Sequence, residues 1–237
     1  MTLLARDPAL WDTVFREPPA RTRWIAKLAH GRSVLDVGCA TGSLCAELAA
    51  RGLSVAGVDV NARFIAAARL KCPHVRFVVG EMARFRAPPA ALVCCLGTTF
   101  GYNLDHTAAA ATLANLYRHV RPRGTLVIDT LNAIAMLGPR PFRAHTRHAF
   151  VHGERRYVAL IAHRLELATQ LLTEQVTWRI GARVVRDPVE RLRLWFPQEL
   201  AALVVAAGFR NITLFDGYGT RSHSFGGRRL VIVARKR

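Results

Sequence analysis

Over the first 130 residues, short apolar runs alternate with segments of helical character, and this alternation limits the fold more than any other feature. The runs are Ser33–Val37, Ser54–Val58, Val75–Val79, Ala90–Leu96 and Thr125–Asp129. The first is apolar on both faces, as a strand in the interior of a parallel sheet is. Between the runs the pattern predicts helices over Ser43–Arg51, stopped by Gly52, and over Ala62–Lys71, broken by Pro73. A third is predicted over Asp105–Val120, with Asp105 as its N-cap. An earlier helical segment, ARTRWIAKLAHG, runs to Gly31. Such alternation argues for an open parallel sheet covered by helices on both faces. An apolar content of 51% supplies a sizeable core and excludes a disordered chain.

After residue 130 the pattern changes. Residues 145–196 hold three or four longer strand-like segments with no helical period, which predicts an antiparallel insertion or lid. Pro197 then opens a helix closed by Gly208, and Phe209–Phe215 and Arg229–Ala234 read as two last strands.

The stretch VLDVGCATGSL, Val34 to Leu44, joins the first strand to a helix through small residues. Small residues at that junction let a ligand lie against the backbone. Asp59 ends the next strand and Glu81 the one after it; an acid so placed accepts from ribose hydroxyls. The loop lacks the third glycine that a pyrophosphate-binding GxGxxG requires. Asp36, inside the strand, would repel phosphate but accept from a cationic amine. A ligand with ribose, adenine and an ammonium, and without phosphate, fits this set; S-adenosylmethionine is such a molecule.

VLDVGCATG resembles motif I of the class I S-adenosylmethionine-dependent methyltransferases, and VAGVDVNARFIAAAR resembles their motif II with its helix. FVVGEMARF is similar to the adenine-clamping segment, YRHVRPRGTLVIDTLN to the helix, turn and fifth strand, and LWFPQELAALVVAAGF to a C-terminal run of small-molecule members. The resemblance implies an α/β, Rossmann-like, doubly wound seven-stranded sheet, mostly parallel with the last strand antiparallel, carrying the antiparallel β lid. The expected organisation is one domain over 1–237, with its core at 25–135 and 197–237 and the lid at about 143–196. It also implies roles. Asp36 lies near the methionine ammonium, Gly38, Ala40 and Gly42 admit the cofactor, and Asp59 takes the ribose hydroxyls. Val60 packs on the adenine, Glu81 accepts from its amine with Met82 nearby, and Leu96 offers a carbonyl to the methionine part. Ala40 stands where the family has glycine, which matters if that position needs a positive φ.

The segment LGTTFGYNLDH after the fourth strand resembles the acceptor loop of enzymes that N-methylate amino sugars or peptide amines. Tyr102 is the first acceptor-facing candidate and His106 the candidate base; Trp11, Asn132 and Trp178 are candidates for binding substrate. His145, His148, His152 and His163 fall in the lid, and the spacing of the first three does not make a metal triad. No metal is expected. The five cysteines, two of them adjacent and none in a CxxC pair, read as buried free thiols.

The expected activity is therefore methyl transfer from S-adenosylmethionine to a small-molecule acceptor, an amine in preference to a hydroxyl. The net charge is +18, and the residues from Arg140 on carry 18 basic and 7 acidic side chains. A basic lid suits an anionic acceptor such as a nucleotide sugar, and charge keeps an RNA or ribosomal methyltransferase as an alternative. A cofactor-binding protein that does not methylate is the other. No apolar run reaches the roughly 18 residues of a membrane span, and MTLLARDPALWD places an acid and a proline too early for a leader, so a cytoplasmic protein is expected.

Overall fold

The computed structural model describes residues 1–137, 143–218 and 226–237, with the side chain of residue 137 left out. Three helices come first: α1 (Leu3–Arg6), α2 (Pro8–Val14) and α3 (Pro19–Ala29). The Asp7 carboxylate accepts from the Leu10 amide at 3.0 Å, and Pro8 occupies the first turn, so α2 starts where a cap and a proline together dictate. The alternating region follows as β1 (Val34–Val37), α4 (Ser43–Ala49), β2 (Val55–Asp59), α5 (Ala62–Lys71), β3 (Arg76–Val79) and β4 (Ala90–Cys95). A 3-10 turn (Thr99–Tyr102) leads to α6 (His106–His119), and Asp105 caps it by accepting from Ala108 N at 2.8 Å. Next come β5 (Val120–Leu131) and α7 (Ala133–Leu137). The turn predicted at Pro122–Gly124 lies within β5, where a register shift separates the Ala90–Val120 pair from regular pairing at Thr125.

The remaining strands of the second sheet are β6 (His145–His152), β7 (Arg155–Glu166), β8 (Leu171–Ile180), β9 (Arg183–Arg186) and β10 (Glu190–Arg193). The chain returns through α8 (Pro197–Ala206), β11 (Arg210–Asp216) and β12 (Arg229–Arg235). The first sheet has seven strands in the order β11-β12-β5-β4-β1-β2-β3, and β12 runs antiparallel to both its neighbours. The helices α6 and α8 cover one face, packing Leu113, Leu116, Leu200 and Val204 on Ile128 and Val93. The other face takes α3 and α4 through Ile25, Ala29, Leu44 and Leu48. The strand order reverses beside β1 and β4, so the carboxyl ends of those two strands open the crevice in which such sheets bind ligands.

The second sheet is antiparallel, ordered β10-β8-β7-β6 with β9 on β8. Directly opposed residues share a face. One face therefore carries Tyr157, Ala159, Ile161, His163 and Leu165 of β7 with Ile180, Trp178, Val176, Glu174 and Leu172 of β8. At one end of this inner face, Leu10, Tyr157, Ala159 and Trp178 make a buried cluster that also takes Leu3 and Leu4. At the other end, Leu172, Leu192 and Leu194 pack with Ala133 of α7. The N-terminal helices thus strap the second sheet to the first. Asp187 fixes the strap by accepting from Leu3 N and from Trp178 Nε1, each at 2.7 Å.

Arg147, Arg156, Arg164, Arg179, Arg186 and Arg191 occupy the opposite, outer face and are all exposed. The lid charge expected to draw an anionic acceptor is thus largely turned away from the inner face. Among the described residues, no helix is long and apolar enough to cross a membrane.

Candidate functional site

Beyond β1 the backbone turns through three left-handed residues: Gly38 at φ +80, Ala40 at +47 and Gly42 at +74. The position where alanine replaces the usual glycine does require a positive φ, which costs about 1–2 kcal/mol for a residue with a Cβ. Asp59 holds it there. One carboxylate oxygen accepts from Ala40 N at 2.8 Å and the other from Asn61 N at 2.8 Å. A carboxylate has about four lone-pair sites. The backbone amides of Ala40, Asn61 and Val60 take up to three of these, which leaves room for a ribose hydroxyl, so the expected ribose role remains open to Asp59. Burial raises its proton affinity and the backbone N–H groups of Asn61, Ala40 and Val60 oppose that. A Cβ on Gly38 would stand 2.4 Å from the Thr99 side chain, and one on Gly42 would stand 2.9 Å from Phe77.

Beside this loop, Val60, Glu81 and Met82 line one open pocket of about 560 Å³ together with Asn103, Asp105 and the first turns of α6. Val60 is 67% exposed, an apolar surface with nothing packed on it. Met82 is held in place from below: the Asn103 amide lies 3.4 Å from its sulfur and Asn115 Nδ2 donates to its carbonyl at 3.2 Å. The structure therefore brings the three adenine-side candidates together.

Asp36 lies beneath the loop, 4% exposed. The Cys94 and Cys45 thiols approach it at 3.5 and 3.8 Å. Burial pushes its carboxyl up to about 7, against the pull of the Arg21 guanidinium. Arg21 is itself paired with Glu17, Nε to Oε1 at 2.7 Å. All five cysteines are buried and free.

Sequence reasoning missed the group that frames the other end of the crevice. Asp129, fully buried at the end of β5, accepts from Gly97 N at 3.2 Å and from the Tyr218 hydroxyl. Arg229 reaches Asp129 at 3.4 Å and donates to Thr98 Oγ1 at 2.8 Å. The acid of TLVIDTLN carried a signal in the sequence, but its partners lie 32 to 100 residues away. Missed too was Asp12, which accepts from Thr41 and from Ser43 Oγ, and from Lys71 Nζ at 2.7 Å, and so ties α2 to the glycine loop.

Several candidates are corrected. Trp178 is 2% exposed and inside the lid cluster, its N–H spent on Asp187, so it cannot stack on a substrate. Asn132 is fully buried; Nδ2 donates to the Gly227 carbonyl at 2.8 Å and Oδ1 accepts from Ile134 N. It joins chain segments. Trp11 packs its ring at 4.8 Å from Phe64 and 4.4 Å from Phe15, which makes it part of the strap. The Leu96 carbonyl accepts from the Thr99 amide and hydroxyl. His106 Nε2 lies 2.9 Å from Glu199 of α8, and its ring meets Trp195 edge-on.

Tyr102 is 51% exposed and closes the 3-10 turn that follows β4. Burial of its hydroxyl, then the charges of Glu190, Glu174 and Asp59, raise its proton affinity well beyond that of an ordinary phenol. Of the lid histidines, His145 and His148 are exposed, His152 Nδ1 lies 2.7 Å from Thr13 Oγ1, and His163 pairs with Glu174. Among the described residues, no group of three metal-ligating side chains is assembled.

Residues 34–124 match a family model described as a methyltransferase domain. The ubiquinone biosynthesis O-methyltransferase of Pseudomonas paraeruginosa is 32% identical over 124 residues, which cover 48% of this chain and 51% of that one. The chain spans about half the length of the curated relatives it matches first. Among solved structures, the CcbJ methyltransferase from Streptomyces caelestis superposes with a TM-score of 0.82 at 23% identity, covering 99% of this chain and 98% of that one. The sugar N-methyltransferase KedS8 from Streptoalloteichus gives 0.78 at 24% identity, covering 94% and 89%. The likeness to these two solved structures extends over nearly the whole chain and shows a shared fold.

Proposed function

We propose that this protein transfers a methyl group from S-adenosylmethionine to a small molecule, an amine in preference to a hydroxyl. One observation carries the cofactor assignment: Asp59, fixed by backbone amides with acceptor capacity to spare, adjoins Val60, whose bare side chain walls an open pocket. A ribose and an adenine fit that pair, and the loop offers no seat for a pyrophosphate. The methyltransferase-domain match over residues 34–124 supports the same conclusion.

When bound, S-adenosylmethionine supplies an electrophilic methyl group on a sulfonium. The residues of this chain have two tasks beside it, positioning and shielding. Asp59 fixes the ribose end, Glu81 and Met82 hold the adenine edge, and Asp36 supplies a negative charge beneath the methionine ammonium. The strap formed by α1 and α2 closes the second sheet over the crevice, and Tyr102 presents a neutral hydroxyl there.

The N-directed preference draws on the likeness of the whole fold to a sugar N-methyltransferase, while a relative matched over half its length is an O-methyltransferase. Incubation with radiolabelled S-adenosylmethionine and matched small amines and alcohols tests it. Label should appear in amines; label confined to alcohols, or to RNA, would overturn the acceptor class.

A further inference from the structure

The inner face of the second sheet is apolar at both ends and polar in between. His163 of β7, Glu174 of β8 and Glu190 of β10 are directly opposed across three neighbouring strands, so they form one row on that face. On one side of the row lie Ile161 and Val176, continuous with the Trp178 cluster; on the other lie Leu165, Leu172 and Leu192. All three members of the row are half-buried.

The row faces the crevice. The 3-10 turn after β4 packs against β10: a Cβ on Gly101 would lie 3.3 Å from the Arg193 carbonyl and 3.6 Å from Leu192. Tyr102 is the next residue, and it feels the charges of Glu190, Glu174 and Asp59 together. The strip therefore lies beside the turn that follows the end of β4.

Its charge runs against the rest of the molecule. The chain has 34 Lys and Arg against 16 Asp and Glu, yet this row holds two carboxylates and no lysine or arginine. Glu174 is paired with His163 Nδ1 at 3.0 Å, and His163 Nε2 lies 3.1 Å from Thr146 Oγ1. The Glu190 carboxylate makes no hydrogen bond or ion pair with any described residue. Two half-buried carboxylates side by side cost free energy unless a cation joins them. The amino terminus opposes that cost at Glu190 and His163 pairs with Glu174, while the six exposed arginines of the outer face do not reach the row.

We propose that the strip of His163, Glu174, Glu190 and Tyr102 receives the acceptor, and that the acceptor is a small molecule bearing a basic amine, bound as its ammonium. This rests on the methyl-transfer assignment above and names its substrate class and the residues that select it. Glu190 takes one proton from the ammonium. The freed nitrogen lone pair forms the N–C bond to the methyl group as the C–S bond breaks, and that electron pair stays on sulfur. The product is the methylated ammonium, and the proton on Glu190 passes to solvent. Burial, Glu174 and Asp187 raise the proton affinity of Glu190, against the opposing charge of the amino terminus, which suits it to accept that proton. Tyr102 and the His163–Glu174 pair complete the charged and titratable groups facing it. An alcohol of the same skeleton brings no charge to the strip and should be rejected, because the half-buried Glu190 would be left without a partner.

The test uses a panel of small primary and secondary amines, each paired with the alcohol of the same carbon skeleton. Binding is measured by calorimetry to the protein saturated with S-adenosylhomocysteine, and methyl transfer by product mass. Wild type should bind and methylate amines at least about 10-fold better than their alcohols. Glu190→Gln and the double variant Glu174→Gln/Glu190→Gln should lose that preference while binding S-adenosylhomocysteine as wild type does. Glu190→Asp, which keeps the charge, should retain part of it and guards against a folding defect in the amide variants. Equal binding of amine and alcohol, amine preference surviving in the double variant, or use of neither series by a protein that binds S-adenosylhomocysteine would each overturn the proposal. Failure of wild type to bind S-adenosylhomocysteine would overturn the cofactor assignment on which it rests.

Discussion

Replacing Asp36 by asparagine should change the stability of the free protein in a way that depends on pH. In the folded chain, burial raises the carboxyl from its ordinary 3.8 to about 7. Between those values the folded state binds more protons than the unfolded state, so stability is complete below about pH 4 and falls as pH rises toward 7. A shift of that size makes ionised Asp36 cost about 4 kcal/mol above pH 7. The amide of the Asp36→Asn variant cannot ionise and keeps nearly the same shape beside Cys45 and Cys94. The difference in stability between variant and wild type should therefore move in favour of the variant by about 2–3 kcal/mol between pH 5 and pH 8. For a chain of this length that is roughly 5–10 °C in melting midpoint. Paired thermal melts across that range read it directly, because all other titrations cancel in the difference. Saturation with S-adenosylhomocysteine should reverse the order at pH 8, since its ammonium stabilises the ionised acid of wild type only. A constant offset between the two proteins at every pH would refute the reasoning.

Three further outcomes follow from single contacts. Gly38→Ala forces a Cβ to within 2.4 Å of Thr99 in a left-handed residue and should cost about 2 kcal/mol or more, part of it recovered by adding Thr99→Gly; urea midpoints measure both. Asp187→Ala strands the Trp178 and Leu3 N–H groups and should cost about 2–4 kcal/mol, with faster proteolysis within residues 1–14 as the strap loosens. Asn132→Ala should cost about 2–3 kcal/mol by urea denaturation while the folded variant binds S-adenosylhomocysteine as wild type does; weakened cofactor or acceptor binding without loss of stability would return Asn132 to the site.

The parallel half of the fold could be read from the sequence because its signals are local. Strand and helix periods alternate, and the caps at Asn61 and Asp105 lie within three residues of the amides they satisfy. The cofactor loop was legible for the same reason, since Asp59 follows the glycines at a spacing that one strand and one helix set. The acceptor side was not legible. Whether Glu174 or Gln175 faces the crevice depends on the parity of a strand, and only its pairing with β7 and β10 fixes that. The tryptophan at 178 shares that parity and reads equally well as a stacking surface; the burial that removes it from the site comes from Leu3, Leu4 and Leu10, more than 160 residues away. The helices α1 and α2 are too short to show a period, so the strap could not be foreseen. Charge summed along the lid suggested an anionic acceptor, and the sheet sorts that charge onto its two faces.

Calorimetric titration of S-adenosylmethionine into wild type and Asp59→Ala tests the central assignment most directly. The account predicts saturable one-to-one binding by wild type, and affinity at least about 10-fold weaker in the variant, which loses the ribose acceptor and frees the loop at Ala40. Absence of binding by folded wild type, or equal binding by both proteins, would contradict it.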